Sequence, residues 1–311
     1  MNFIERIAKE YSLPREKLSY ICYQAPYSYK YYKIQKRDGG YRDIYHPSAE
    51  LKVIQRWLSA KLFSELPLHD AAMAYRKGIS IRSNAEAHSM SNFILRMDFK
   101  NFFPSIKRDD LTRFFVDKRC LLGITEEEAL QLSRVVSIKD GDDYYLPIGA
   151  PSSPVLANAI MYDIDVSVSK YCAKNSIFYT RYADDLTFST KKVDVLKYIP
   201  RVVEGILRDE KYPTLSLNHK KTSFSSKKRT RRVTGVKITP EGNLSVGRDL
   251  KRKIRTMVYL HLKGELEVSD LSTLSGLISY VNSIEPDFIE RLASKYGLNE
   301  IYGILGKNVS R

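Results

Sequence analysis

Hydrophobic and polar positions change period several times along this chain, and each change marks an element. Phe3, Ile4, Ile7 and Tyr11 recur at helical spacing, so residues 1–23 read as helices broken at Leu13-Pro14, with Ser12 or a neighbour capping the second helix. Alternation then takes over. Tyr29, Tyr31 and Lys33 set against Tyr32 and Ile34, a turn at Arg37-Asp38-Gly39-Gly40, and a return through Tyr41–Tyr45 to His46-Pro47 predict a β-hairpin. From Ser48 to Leu66 the period is helical again: Leu51, Ile54, Trp57, Leu58 and Leu62 share a face, and Pro67 stops the run. Phe93–Asp98 reads as a strand, Pro104 breaks the segment after it, and a helix starts near Lys107. Thr125 and Glu128 make a capping box for a helix over 125–138, and 140–143 is a turn. A loop of small residues, 147–154, feeds a helix over about 155–172. Two short runs of strand character flank Asp184-Asp185, a helix covers 193–211, and 215–217 and 233–238 are strand-like, the second of these ending in a turn at 240–243. From Arg248 the chain is helical, with Leu250, Ile254, Met257 and Val258 on one face and Lys251, Arg252 and Arg255 on another. Strands and helices in this order describe an α+β protein whose helical C-terminal part is a separate domain.

Composition narrows the class. A hydrophobic fraction of 43% spread over scattered clusters suits a soluble globular chain, and no apolar run is long enough to span a bilayer. The N-terminal Met1–Ile7 is charged and helix-like, unlike a secretory signal, so a cytoplasmic location is expected. Three cysteines without a CxxC pair indicate neither a disulfide framework nor a zinc ribbon, and they are expected to be core thiols. The 51 Lys and Arg outnumber the 36 Asp and Glu, giving +15 and a sequence pI near 9.5. That balance points to a polyanionic partner, most simply nucleic acid. Much of the excess sits in Lys227–Arg232 and Arg248–Arg255. The early hairpin also carries Lys33, Lys36, Arg37 and Arg42, a shape suited to gripping phosphates, although a solvated hairpin has the same charges.

Candidate chemistry centres on Tyr182-Ala183-Asp184-Asp185. An isolated Asp-Asp is commonly a turn former. Here the pair sits at the tip of a hairpin, and successive strand side chains face opposite ways, so one acid of the two faces a given metal fully. A site for two divalent metals then needs an acid from a neighbouring strand, and Asp98 is the candidate. The small-residue loop at Gly149 lets backbone approach a ligand closely, but with one glycine and no GKS/T it is not a phosphate loop of the Gly-rich kind. His88 alone is no metal ligand.

The order of a first Asp, a Gly-Ala-Pro-Ser-Ser-Pro loop, a Tyr-Ala-Asp-Asp hairpin and a Lys-bearing turn resembles reverse transcriptases over roughly residues 30–240. Asn84-Ala85-Glu86-Ala87-His88 and Val233-Thr234-Gly235 resemble elements of the bacterial retron type. The resemblance implies a right-hand polymerase fold: fingers and palm with an antiparallel sheet over 1–240, including an N-terminal helical extension over 1–25, and a helical RNA-binding thumb over 241–311. It implies an RNA-directed DNA polymerase using two Mg²⁺ ions held by Asp98, Asp184 and Asp185, with the carbonyl of Phe99 as a further ligand. Arg37 and Arg42 would grip the triphosphate beside Gly149. Phe103, five residues after Asp98, would block the ribose 2′-OH, with Phe102 in the core. Lys221, with Lys220 as the other possibility, would protonate the departing pyrophosphate. Asn84, His88, Arg231, Arg232, Arg248, Lys251, Arg252 and Arg255 are the expected RNA-binding residues. Implied partners are dNTPs, a structured noncoding RNA and its DNA product, joined after priming from an RNA 2′-OH, and an effector protein in phage defence; no membrane is involved.

Ile148 departs from the family pattern, which has Gln before Gly149; that puts fidelity in question and leaves the Asp residues untouched. Two rivals share parts of this pattern. A group II intron-type enzyme would carry a further maturase or endonuclease region, and a non-catalytic RNA-binding relative would have lost an Asp.

Overall fold

The computed structural model describes residues 2–35 and 39–306. In chain order the elements begin with α1 (Phe3–Tyr11), α2 (Arg15–Gln24), β1 (Tyr29–Gln35), β2 (Tyr41–Pro47), α3 (Ala49–Lys61), α4 (Ile81–Glu86) and β3 (Phe93–Asp98). Then come α5 (Phe102–Ser105), α6 (Arg108–Asp117), α7 (Arg119–Leu122), α8 (Glu126–Val136), β4 (Ile138–Asp140), β5 (Asp143–Tyr145), α9 (Ser153–Ile160) and α10 (Tyr162–Lys174). Strands β6 (Phe178–Tyr182) and β7 (Asp185–Thr190) precede α11 (Ile199–Asp209). The chain finishes with β8 (Ser223–Ser226), β9 (Arg231–Val233), β10 (Val236–Ile238), β11 (Leu244–Ser245), α12 (Arg248–Leu262), α13 (Val268–Ile284), α14 (Pro286–Tyr296) and α15 (Leu298–Ile304).

These elements gather into two compact units, one drawn from residues 1–77, 97–186 and 197–222, the other from 78–96, 187–196 and 223–311. Strands β3 and β7 contribute residues to both. In the first unit, β1 and β2 pair antiparallel from Tyr29↔Pro47 to Gln35↔Tyr41. Ser48 caps α3 by accepting from the Leu51 amide, and the buried face of that helix is Leu51, Ile54, Trp57 and Leu58. The helix ends at Lys61, and the residues expected to prolong it form a 3₁₀ turn at Phe63–Glu65, a tightening common at helix ends. Thr125 and Glu128 close their capping box on α8.

Other boundaries differ from the sequence reading. Asn2 makes a capping box with Glu5 for α1, whereas Ser12 is left-handed and closes that helix; α2 starts after Pro14 without a side-chain cap. The helix expected over 155–172 is two, α9 and α10, meeting at Met161. Residues 215–217 form no strand, only a single bridge from Leu217 to Phe99. Pro104 sits inside the one-turn α5, where a first-turn proline costs no helical hydrogen bond. Cys22 and Cys172 are buried as expected, but Cys120 is exposed.

The second unit has two apolar clusters. Ala85, Ile94, Val233, Val236, Ile238 and Ile284 form one, around the three-stranded order β11-β10-β9. Ile254, Val258, Leu274, Ile278, Val281 and Phe288 form the heart of the other, among the C-terminal helices. Strand β8 pairs antiparallel with β3 from Phe93↔Ser226 to Arg96↔Ser223. The tight turn between β9 and β10 places Thr234 and Gly235 in the left-handed region, which explains the glycine there. No helix among the described residues is long and apolar enough to cross a membrane.

Candidate active site

Every residue of the candidate site lies in the first unit. Its centre is the turn between β6 and β7. Ala183 takes a left-handed conformation, φ 57°, and so folds the chain tightly enough to present Asp184 at the tip. A buried network beneath holds that turn. The Arg181 guanidinium is wholly buried; its Nε donates to Asp165 Oδ1 at 2.9 Å and its Nη2 to Asp165 Oδ2 at 2.6 Å. Nη1 donates to Asn158 Oδ1 at 3.1 Å and to the Ala183 carbonyl at 3.2 Å, so the cation binds the turn itself. The Tyr179 hydroxyl donates to Asp165 at 2.8 Å. The backbone of Arg181 is also bonded on both sides, donating to the Ala71 carbonyl and accepting from the Met73 amide.

Asp98, at the end of β3, is buried and lines the same cavity as Asp184. The Phe99 amide donates to the Asp184 carbonyl at 3.1 Å, which ties the two acid-bearing segments together. Asn218 brackets Asp98, donating its amide to the Asp98 carbonyl at 2.7 Å and its side-chain Nδ2 to Oδ1 at 3.4 Å. Lys221 Nζ donates to Asp98 Oδ2 at 2.9 Å. Burial first, and then the Asp98 charge, push the Asp184 carboxyl above its ordinary range, with Lys221 and Arg42 pulling the other way. The hydrogen bond to Asp98 raises the Lys221 ammonium, and the charges of Asp98, Asp184 and Asp185 add to that.

Asp98, Asp184, Asn218 and Lys221 line a cavity of about 770 Å³. Arg42, Gly149 and Phe103, to which the sequence reading gave roles at the nucleotide, line it, and so does Ile148. Phe99 and Phe102 stack with centroids 5.5 Å apart, and Phe103 meets Phe102 edge-on while facing the cavity. Both rings line the cavity, but Phe102 is buried and Phe103 only half-buried. Gly149 has φ +114°, and a Cβ there would lie 2.9 Å from the Tyr45 carbonyl oxygen, so only glycine lets this loop lie against β2. Tyr45 donates its amide to the Ile148 carbonyl at 2.8 Å across the same contact. Arg37 lies outside the described residues.

Asp185 differs from the other two acids. It is exposed and does not line the cavity; β7 begins at Asp185, whereas Asp184 stands before it in the turn. Among the described residues no three carboxylate, His or Cys groups converge on one point. Four aspartates line the cavity; Asp43 accepts from the Tyr31 hydroxyl and Asp140 from those of Tyr45 and Tyr145, which leaves Asp98 and Asp184, beside Lys221, as the pair open to a cation. That set fits Mg²⁺: it is all oxygen, its mutual repulsion is relieved by a cation, and Mg²⁺ is usually bound through one or two carboxylates with water and substrate phosphates.

Three expected RNA-binding residues are interior ones. Arg231 is fully buried, donating to the carbonyls of Ser89, Ser91 and Thr239. His88 is buried against the Ser189 hydroxyl at 2.7 Å, and burial holds its imidazole down to about 3. Asn84 is buried, with Nδ2 3.5 Å from the Thr234 hydroxyl. Lys251 is largely covered, paired with Glu285 and standing over the Phe288 ring. Arg232, Arg248, Arg252 and Arg255 are exposed. The sequence reading missed Asn218, Tyr75, which lines the cavity, and the Arg181–Asp165–Asn158 network. Asn218 had one signal, its place three residues before Lys221; the others had none.

Residues 34–238 match the family described as reverse transcriptase (RNA-dependent DNA polymerase). The retron Ec83 reverse transcriptase of Escherichia coli is 39% identical over 279 residues, covering 89% of each chain. The retron Ec73 reverse transcriptase of the same species is 37% identical over 88% of each. The retron Ec86 enzyme, also from that species, is 30% identical over 97% of this chain and 92% of its own. Among solved structures, telomerase from Candida albicans in complex with a fragment of telomeric RNA superposes with a TM-score of 0.52 at 13% identity. That match covers 99% of this chain and 59% of the telomerase, less than two thirds of it, and supports the right-hand polymerase fold.

Proposed function

The chain belongs to the retron reverse transcriptases, RNA-directed DNA polymerases, and on that premise we propose that it copies part of a structured noncoding RNA into single-stranded DNA that stays joined to the RNA. The observation that carries the proposal is that Asp98, Asp184 and Lys221 line one cavity large enough for a nucleotide, with Lys221 paired to Asp98. Two Mg²⁺ ions bound by Asp98 and Asp184 would stabilise the attacking and leaving oxygens of an in-line displacement. Asp185, outside the cavity, adds its charge to the field of the site, and the Phe99 carbonyl is a further candidate ligand.

The chain's own residues supply the rest. Arg42 faces the triphosphate from β2, and Gly149 lets that strand and the loop close around it. Phe103 meets the sugar and excludes a 2′-OH. Lys221, already protonated and held by Asp98, donates a proton to the departing pyrophosphate. We assign fingers and palm to 1–240 and the RNA-reading thumb to 241–311, where Arg248, Arg252 and Arg255 present a basic stripe at helical spacing. Arg232 adds a fourth exposed cation. Priming from an RNA 2′-OH, a role in phage defence with an effector protein, and a cytoplasmic location complete the reading. Sequencing the nucleic acid that co-purifies with the chain tests it. DNA covalently joined to one structured RNA is expected, and free DNA copied from unrelated templates would refute it.

A further inference from the structure

A strip of tyrosines and cations lies on the first unit away from the acids, over α2, α6, α8 and the β4–β5 hairpin. The two-residue period of the hairpin sorts its side chains. Asp140 and Tyr145 take the cavity side, where the Tyr145 and Tyr45 hydroxyls both donate to Asp140 Oδ2. Lys139 and Tyr144, opposite each other in the ladder, take the other side. There the Tyr144 hydroxyl lies 3.3 Å from that of Tyr27, and the Arg108 guanidinium stands 3.8 Å over the Tyr144 ring. Lys139 Nζ is 5.6 Å from the Tyr27 ring and 5.9 Å from the Tyr144 ring. Arg134 stands 4.4 Å over the Tyr23 ring and donates Nε to the Tyr23 carbonyl at 2.7 Å.

Folding alone does not account for this strip. Tyr23 and Tyr27 are 62% and 53% exposed, so their rings gain little from burial. Among the described residues, Arg108, Arg134 and Lys139 make no ion pair with a carboxylate. Three cations without a carboxylate partner, interleaved with the exposed rings of Tyr23 and Tyr27 and the half-buried ring of Tyr144, suit a ligand that brings negative charge and flat faces together. A nucleic-acid duplex offers the charge but hides its faces. A single strand offers both, stacking bases on aromatic rings and laying phosphates against Lys and Arg.

We infer that Tyr23, Tyr27 and Tyr144, with Arg108, Arg134 and Lys139, form a binding surface for unpaired RNA. The choice of RNA over DNA rests on the RNA-copying reading above. Binding of a short labelled oligouridylate to the full chain, followed by fluorescence anisotropy, tests it. Tyr27→Ala with Tyr144→Ala should weaken binding about tenfold for each ring removed, while the Tyr→Phe pair, which keeps the rings, should bind as wild type. Arg108→Gln and Lys139→Gln should each flatten the dependence of log affinity on log salt by about 0.7. Unchanged affinity in the Ala pair, with a native circular dichroism spectrum, would overturn the proposal. So would an equal loss on a base-free sugar–phosphate oligomer, which would leave charge alone at work. Tighter binding of oligothymidylate, with the larger loss there, would assign the surface to the DNA product and overturn it as an RNA site. Extension of a primer on an RNA template by the wild type, run alongside, separates the two ideas: its failure would refute the polymerase reading, while the anisotropy result judges the surface.

Discussion

Replacing Asp165 by Asn should cost this protein more than any change of a visible active-site residue. Arg181 is completely buried, and Asp165 accepts three of its side-chain hydrogen bonds, with Asn158 and the Ala183 carbonyl taking others. Asn keeps the shape and one acceptor but removes the charge, leaving a guanidinium without a counter-ion in the interior. Breaking a buried pair from one side costs about 3–5 kcal/mol, and the retained acceptor puts the expected loss near the lower end. Against a total stability of about 5–15 kcal/mol this is a large share, and for a chain of 311 residues it corresponds to a fall in Tm of roughly 5–6 °C. Thermal and urea unfolding would measure it. The double variant Arg181→Met with Asp165→Leu removes both charges and should be more stable than Asp165→Asn, but it also takes partners from the Tyr179 hydroxyl, Asn158 Oδ1 and the Ala183 carbonyl, so it should stay below wild type. It also deletes the donor to the Ala183 carbonyl, and a slackened turn should slow primer extension by about 10- to 100-fold with little change in KM. Asp165→Asn as stable as wild type would refute the energetic argument. Full activity in the double variant would show that the network does not hold the turn.

Asp98→Asn or Asp184→Asn should abolish DNA synthesis in Mg²⁺ while leaving the fold intact, since each relieves repulsion in a crowded site; near-normal primer extension would contradict the assignment. Phe103→Ala should raise ribonucleotide incorporation relative to dNTPs, and an unchanged ratio with activity retained would make Phe103 a packing residue only. Arg248, Arg252 and Arg255 replaced together by Ala should spare extension of an annealed primer in excess but block initiation on the structured RNA, each lost phosphate contact flattening the salt dependence by roughly 0.7–0.9. Equal loss in both assays would move recognition elsewhere. Burial keeps His88 neutral in the folded state, down to about 3, whereas the unfolded chain takes up its proton near 6.5. Its contribution is therefore complete above about pH 6.5 and falls as the pH drops from there toward 3, by about 2 kcal/mol at pH 5. Urea unfolding at pH 8 and pH 5 should show this slope, and His88→Gln should lack it.

Much of the cavity is legible in the sequence because its chemistry is local there. Asp184 sits in a motif, Asp98 ends an obvious strand, and Phe103 and Lys221 stand at fixed offsets from motifs. The residues expected to bind RNA are less legible, because a charge by itself suggests surface. Arg231 lies two residues before Val233 on one strand, so the two share a buried face, and the alternation in Arg231-Arg232-Val233 already separates the inward cation from the outward one. Lys251 precedes the buried Ile254 by three residues and Val258 by seven, which puts it on the packed side of α12. No local pattern reveals Asp165. It stands between Ile164 and Val166 in a helix and looks like an ordinary surface acid until the fold brings Arg181 beside it.

The exposure of Cys120 has a consequence for how the protein behaves in the hand. Burial pushes the thiols of Cys22 and Cys172 up to about 12, so neither is a ready thiolate at neutral pH. Cys120, on the one-turn α7, is the accessible thiol of the three. Air oxidation of the folded protein can then join two copies through a single disulfide but cannot extend the chain further, because each copy has spent its one reactive sulfur. The same sulfur gives a dye or spin label a single point of attachment on the unaltered sequence.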